Sequence, residues 1–473
     1  MSGARNLVVV GHGAAGLAAA LAAAEAAQEG GAAVNVTLIE KASADEAGGN
    51  TRWTPSYMRM IAPDRVEPTF VDDMLAATQG RGDRRYFTRL AADAPATMAW
   101  IAAHGVPFHA PTYYLAKGPP RIQPVGGGAT IHHELTRAAH EAGVSLRYGC
   151  AAQGFVHAGG RLAGVRLASG ETVAANAVVL ACGGFQGDTA MMREHFGPGG
   201  ECLPLLAPRA CHNAGDGIRM ALDAGADRSG AWDGMHSEPI DPRSHNSAPV
   251  VLLYPYGIVV DRSGRRLFDE GGGLVHETWE WFSRHIHFAT EGRRAYAILD
   301  ARVRQIPEWQ RATRSEVAPA EADTLAALAQ QIGVDAAGLT ATVAAYNAVC
   351  TGDADTFDAT RLDGLAASGA LAPPKSNWAR AITEPPFLAW PMIGAVAYTF
   401  GGIATNQNAE VLRNGAPMPG LYAAGEITGH FYGTAPNAVS VLRAFVFGRI
   451  AGLEAVRFLR EGVGERQHRG RTT

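Results

Sequence analysis

Val8-Val9-Val10-Gly11-His12-Gly13-Ala14-Ala15-Gly16 is the stretch that decides the fold. A short β-branched run ends in Gly-x-Gly-x-x-Gly, and an Ala-rich helical pattern starts at once, Leu17 to Ala27. A second strand-like run, Val34-Asn35-Val36-Thr37-Leu38-Ile39, then ends in Glu40. This is the order a dinucleotide-binding βαβ unit needs. Gly11 permits the tight turn, Gly13 keeps side-chain atoms away from a pyrophosphate, and Gly16 lets the helix pack closely on the strand. The helix N-terminus offers free N–H groups and a partial positive charge to phosphates. Glu40 closes the second strand, where its carboxylate can accept hydrogen bonds from ribose hydroxyls.

The composition sets outer bounds. A chain of 473 residues exceeds one simple core, so two domains are expected. Hydrophobic content of 47% and charged content of 18% fit a globular enzyme. The 57 glycines cluster at turns, as at Gly126 to Gly128 and Gly271 to Gly273, which suggests backbone repeatedly approaching a large ligand. A net charge of −4 argues against a nucleic-acid partner or an anionic membrane surface. The five cysteines are scattered, with no Cys-x-x-Cys pair, which favours a reducing cytoplasm over a disulfide framework or structural zinc. The first strand begins too early to leave room for a signal peptide. No apolar run approaches the ~20 residues of a membrane helix, so no integral membrane segment is expected.

Along the chain, helical patterns cover roughly Val66–Gln79, Asp83–His104 and His132–Ala142. The segments Val144–Tyr148, Gly154–Ala158, Arg161–Leu167 and Thr172–Ala174 read as an antiparallel meander, and Ala177–Leu180 as a buried strand before Gly183-Gly184. A helix over Ile218–Ala224 leads into a Trp-, His- and Pro-rich region and a strand at Tyr256–Asp261. Residues 275–350 read as mostly helical, around Thr324–Ile332 and Gly338–Val349, and 351–380 as loop. Strand patterns return at Val396–Ile403 and Leu421–Glu426, and Val439–Leu459 is a long apolar helix. The nucleotide domain is therefore expected to be split, with residues 1–225 and 385–460 flanking an inserted domain at 226–384 and a flexible tail at 461–473.

Together these pieces resemble the FAD-dependent oxidoreductase 2 (fumarate reductase/succinate dehydrogenase flavoprotein) superfamily. Within it they are most similar to the tricarballylate dehydrogenase-like and 3-ketosteroid dehydrogenase-like branches. The motifs are Gly11–Gly16 with Glu40, Gly48-Gly49-Asn50-Thr51, Pro124 to Gly128, Leu180 to Phe185, Gly215-Asp216-Gly217, Gly401-Gly402 and, most specific, Gly420 to Thr428. The resemblance implies an α/β fold: a Rossmann-type FAD-binding domain with an inserted α+β capping domain. It implies an FAD cradle of Gly11, Gly13, Ala14, Ala15 and Gly16, of Glu40 and Lys41, and of Gly48, Gly49, Asn50 and Thr51. Gly127, Gly128, Ala181, Gly183, Gly184 and Asp216 continue it. Gly425, Glu426, Ser440, Val441 and Leu442 complete it, the last three at the head of a helix whose dipole favours an anionic reduced flavin. Succinate dehydrogenases carry a flavin-bonded histidine in the loop that here reads Gly49-Asn50-Thr51-Arg52-Trp53-Thr54, so non-covalent FAD is implied.

The catalytic pattern departs from the family. Fumarate reductases clamp a dicarboxylate with two histidines and two arginines, and a third arginine donates the proton. His236 matches the first histidine. Tyr398 stands in place of the second, where a phenol can donate a hydrogen bond or handle a proton. Gly271-Gly272-Gly273 follows Glu270 where the donating arginine is expected. The loop His430-Phe431-Tyr432-Gly433-Thr434-Ala435-Pro436-Asn437-Ala438 holds no arginine either, and Arg443 lies further along on the helix. Each lost charge-assisted contact removes roughly 1.5–3 kcal/mol, so a small dicarboxylate would lose most of its binding and its proton donor.

The expected enzyme is thus an FAD-dependent oxidoreductase that is not a fumarate reductase. It acts on a CH–CH or C=C bond next to a carbonyl or carboxyl group, coupling proton transfer to hydride exchange at flavin N5. Tyr398 is the favoured proton-handling group, with His236, Tyr432, His430 and Arg443 as further catalytic candidates. The His430 loop and the aromatic insert suggest a less charged small-molecule substrate, and electrons pass to a partner protein, quinone or oxygen. The rival readings are a tricarballylate dehydrogenase-like flavoprotein serving a partner, a flavin-dependent isomerase, and a flavin binder without catalysis. His285 and His287 are spaced as on a strand but lack a third ligand, so no metal is expected.

Overall fold

Runs of β-branched residues separated by an alanine-rich helix dictate the first layer of the fold. In a computed structural model, which describes residues 5–111, 120–350, 356–369 and 371–469 and side chains as far as Glu461, Arg5–Val10 is β1, Ala14–Glu29 is α1 and Val34–Ile39 is β2. Helices Gly49–Trp53 (α2), Phe70–Ala77 (α3), Arg84–Ala103 (α4) and Gly128–Glu141 (α5) follow. Ser145–Arg147 (β3) precedes a hairpin-linked trio, Ala152–Ala158 (β4), Arg161–Leu167 (β5) and Thr172–Ala174 (β6). Ala177–Leu180 is β7, and Thr189–Phe196 (α6) and Asp216–Asp223 (α7) close this part. Next come Met235–Ile240 (β8), Ile258–Val260 (β9), Val275–Ala289 (α8), Ala295–Leu299 (β10), Ala320–Ala322 (β11), Leu325–Ile332 (α9) and Ala336–Val349 (α10). The chain returns through Phe387–Thr399 (β12), Glu410–Arg413 (β13), Ala416–Ala423 (β14) and Ser440–Arg469 (α11).

Six strands form one sheet in the order β13-β14-β7-β1-β2-β3. All neighbours are parallel except β13 and β14. Leu421 of β14 lies opposite Val178 of β7, so strands from far apart in the chain share the sheet. α1 and α11 pack on one face. Their approach depends on missing side chains: a Cβ on Gly448 would lie 2.4 Å from the Ala15 carbonyl oxygen, and one on Gly452 would lie 2.2 Å from that of Ala19. The second sheet is antiparallel, ordered β8-β12-β10-β9 with β11 also on β12. The 13-residue β12 carries the buried Trp390 in this sheet and ends with Tyr398 and Thr399 beside the first.

Several expectations need correction. Val144–Tyr148 does not join the meander: β3 pairs in parallel with β2, because Leu146 fits the half-buried edge, and the meander has three strands. The 275–350 span is not continuously helical. Ala295–Leu299 is a fully buried central strand, whose Ala-Tyr-Ala-Ile-Leu composition carries no helix–strand distinction. His285 and His287 lie on α8, not on a strand. The Val66–Gln79 pattern shrinks to α3, whereas α5 starts before His132, directly at the glycine turn. The Glu461–Thr473 stretch is not a loose tail over its whole length, since α11 runs to Arg469; residues 470–473 lie outside the described residues. So do residues 351–355 and 370 of the expected loop over 351–380.

Candidate active site

A large cleft, open to solvent and with about 1850 Å³ of empty space, runs from the β1–α1 turn to the second sheet. At the near end Gly13 begins α1 with no cap from its own side chain, and beyond Ala14 the N–H groups of the first turn lie open to a ligand. Gly11 has φ +107°, and a Cβ there would lie 2.5 Å from the Ala181 carbonyl oxygen. Glu40 is held by the backbone N–H groups of His12 (2.9 Å) and Ala42 (2.8 Å). Lys41 pairs with Asp216 at 2.6 Å. The Thr51 hydroxyl accepts the N–H of Ala14 at 3.1 Å, which ties α2 to the glycine turn.

Further along, Glu426 gathers donors from four segments, Gln186 among them at 3.5 Å. It accepts from Thr399 N–H (3.1 Å), Asn50 Nδ2 (3.3 Å) and Asn213 Nδ2 (3.3 Å). Burial pushes its carboxyl up to about 7, against these bonds. Gly184 backs onto this group, since a Cβ would fall 2.3 Å from Glu426 Oε1, and a Cβ on Gly183 would meet Asn213 at 2.6 Å. Asn437 lines the cleft with a buried Oδ1 that has no partner. A glycine-walled channel, an open helix start and orphaned polar atoms fit a long dinucleotide such as FAD.

Most of the expected cradle lines this cleft: Gly11, Gly13, Ala14, Ala15, Glu40, Lys41, Gly49, Asn50, Thr51, Ala181, Gly183, Asp216, Gly425, Glu426, Ser440 and Val441. Gly16, Gly48, Gly128 and Gly184 stand behind it and permit close packing, and Gly127 turns the chain there with φ +70°; a Cβ on Gly128 would lie 1.6 Å from the Thr51 carbonyl oxygen. Leu442 is fully buried in the core, turned away from the cleft.

The far end is built on β8 and β12. Strand alternation puts His236 and Glu238 on one face, and the register sets His236 opposite Tyr398. Their rings are 5.0 Å apart. His236 Nε2 meets Glu238 at 3.0 Å, and Nδ1 meets Glu280 of α8 at a very short contact. Burial alone would lower the His236 pKa, but Glu280 and then Glu238 reverse this and hold it at about 10. His236 is therefore a fixed imidazolium at neutral pH. Tyr398 is hydrogen-bonded to Ser440, and burial first, then Glu280, pushes its phenol well above the ordinary range.

Two catalytic candidates leave the site. His430 is buried against the Tyr86 ring (3.6 Å between centroids) and bonds Thr405 at 2.8 Å. Tyr432 turns outward, where its hydroxyl accepts Gly230 N–H at 3.0 Å and its ring lies under Arg81 at 4.3 Å. Both are packing residues, because the loop turns their side chains away from the cleft. Arg443 lines the cleft but its Nη1 donates to the Thr428 carbonyl, and its guanidinium covers Phe431 at 4.0 Å. The far end of the cleft carries charge. Arg121 and Arg314 line it beside Tyr57, and Glu238 and Glu280 join them. Of these, Glu238 was within reach of sequence reasoning, being two residues from His236 on a strand.

The FAD binding domain family matches residues 6–440. The chain belongs to this family. It is 27% identical to the vinyl phenol reductase of Lactiplantibacillus plantarum, covering 96% of both chains. It is 28% identical to the fumarate reductase (cytochrome) of Shewanella frigidimarina, over 96% of this chain and 77% of that one. A flavocytochrome c3 fumarate reductase in its open conformation superposes with a TM-score of 0.77 at 25% identity, covering 97% of this chain and 79% of that one. The 3-ketosteroid-Δ4-(5α)-dehydrogenase of Rhodococcus jostii RHA1 gives 0.70 at 25% identity, with 96% and 97% covered. The resemblance to fumarate reductase-like and ketosteroid dehydrogenase-like flavoproteins therefore holds. Among the described residues, no helix is long and apolar enough to cross a membrane, and no group of three or more His, Cys, Asp or Glu is placed to hold a metal.

Proposed function

We propose that this FAD-dependent oxidoreductase saturates a C=C bond conjugated to a carbonyl or carboxyl group, with the Tyr398 phenol delivering the proton. The observation that carries this reading is the protonated phenol of Tyr398 in the cleft, beside a permanently charged His236. A phenol is protonated at neutral pH and can donate that proton to the substrate. Gly11–Ala15, Glu40, Asn50 and Glu426 would hold FAD, which once reduced would supply the hydride. His236 polarises and orients the substrate, and Trp279 and Leu252 exclude water from the far wall. With glycines at 271–273 and Arg443 turned to Thr428, the residues do not make a fumarate-type arginine clamp. The five cysteines, all free, support a cytoplasmic setting. The reductant is external: a partner protein or a quinol supplies the electrons.

The test reduces the holoprotein anaerobically with dithionite and adds conjugated enoates and enones. Return of the oxidised flavin band with one saturated product per flavin supports the reading. A flavin that stays reduced with every such compound overturns it. Tyr398→Phe should slow flavin reoxidation by about 10²- to 10⁴-fold while FAD content stays unchanged. Non-covalent attachment is supported by the histidine-free loop 49–54. Acid precipitation should then release all the flavin, and yellow protein pellets would show a covalent bond.

A further inference from the structure

We infer that the cleft beyond His236 is an anion seat, in which Arg121 and Arg314, around Tyr57, hold the carboxylate of a substrate that carries one negative charge. Arg314 Nη2 donates to the Tyr57 hydroxyl at 3.1 Å, and the Arg121 guanidinium covers the Tyr57 ring at 4.3 Å. The two forks thus converge on one aromatic side chain, and both line the cleft. Arg121 is 7% exposed, so its charge is felt in a poorly solvated place. Neither arginine lies in the segments where the family resemblance implies a clamp.

The charge balance limits the ligand. Arg121, Arg314 and the His236 imidazolium are positive, while Glu238 and Glu280 are negative carboxylates bonded to His236. Among these five groups around the seat one positive charge is left over, which a monocarboxylate neutralises. A dicarboxylate would bring its second charge towards Glu238 or towards the apolar wall of Trp279, Leu206 and Leu252. Burying an unpaired carboxylate there is costly. The same wall suits a flat hydrocarbon or aryl body attached to the enoate.

This seat rests on the enoate reading, and binding separates the two. Oxidised holoprotein is titrated with cinnamate, cinnamamide and fumarate, following the perturbation of the flavin spectrum. Cinnamate should bind at least 10-fold tighter than the neutral amide and than fumarate. Arg314→Gln and Arg121→Gln should each weaken cinnamate by about 10- to 100-fold, the effect of one charge-assisted contact, and leave the amide unchanged. Equal binding of acid and amide, or equal losses for both in correctly FAD-loaded variants, overturns the seat. Tight arginine-dependent binding of cinnamate without its reduction would keep the seat and overturn the reductase reading. Reduction of acid and amide alike, with wild-type rates in the variants, would do the reverse.

Discussion

A histidine gripped by two carboxylates behaves as a fixed charge and not as a titrating group. His236 keeps its proton up to about pH 10 because Glu280 and Glu238 each take one ring N–H. Glu280 also accepts the Ala435 N–H, so it ties α8 to the loop before α11. Glu280→Gln removes the stronger of the two influences. In the wild type, the rate of flavin reoxidation by an enoate should show no histidine ionisation between pH 6 and 9. In Glu280→Gln the rate should fall as pH rises across that range, as His236 loses its proton. An unchanged pH profile in the variant would show that His236's charge plays no part. Little of this arrangement is legible in the sequence. The His236–Glu238 pair follows from strand alternation, but Glu280, Arg121 and Arg314 reach the site from three other segments, and no local spacing reports such packing. Tyr398 was legible because it sits at a fixed offset from Gly401-Gly402, whereas His430 and Tyr432 share a loop whose side-chain directions only the fold decides.

The contact between α1 and α11 sets where two helix starts point into the cleft. Gly13 begins one and Ser440 the other, and both line the cleft. The glycines at 448 and 452 let the helices touch backbone to backbone. Gly452→Val would place carbon atoms inside the Ala19 peptide, forcing the helices apart at a cost of about 1–3 kcal/mol. The purified variant should melt several degrees lower and lose FAD on desalting, readable as a falling ratio of flavin to protein absorbance. A fully loaded variant with native melting would show that the helices do not position the cradle. β1, α1 and β2 were legible because a glycine pattern, an alanine helix and β-branched runs all agree on one unit. The buried strand at Ala295–Leu299 was not, because an apolar run has no period that separates strand from helix.

At the scale of the whole molecule, buried histidines make stability depend on pH from both sides. Burial holds His12 and His430 at about 3 and His132 at about 4. Below the ordinary value of 6.5 the unfolded chain takes up protons that these sites refuse, so stability falls as pH drops, by up to about 1.4 kcal/mol per pH unit for each group. His236 acts oppositely: its raised pKa contributes stability that is complete below 6.5 and is lost as pH rises through about 10. Melting temperature at constant ionic strength should therefore peak near pH 6.5 and decline towards both 5 and 9. A flat profile would contradict the burial of these rings. The sheet that joins β7 to β14 has a further consequence, in time instead of space. Leu421 pairs with Val178 across about 240 residues of chain. At ~5–20 residues per second, a ribosome needs at least about ten seconds to make the intervening chain. Until then β7 presents an unfilled edge, and the nascent polypeptide has only half of its cofactor groove. Flavin loading therefore has to wait until β14 has been made, and the β7 edge stays open over that interval.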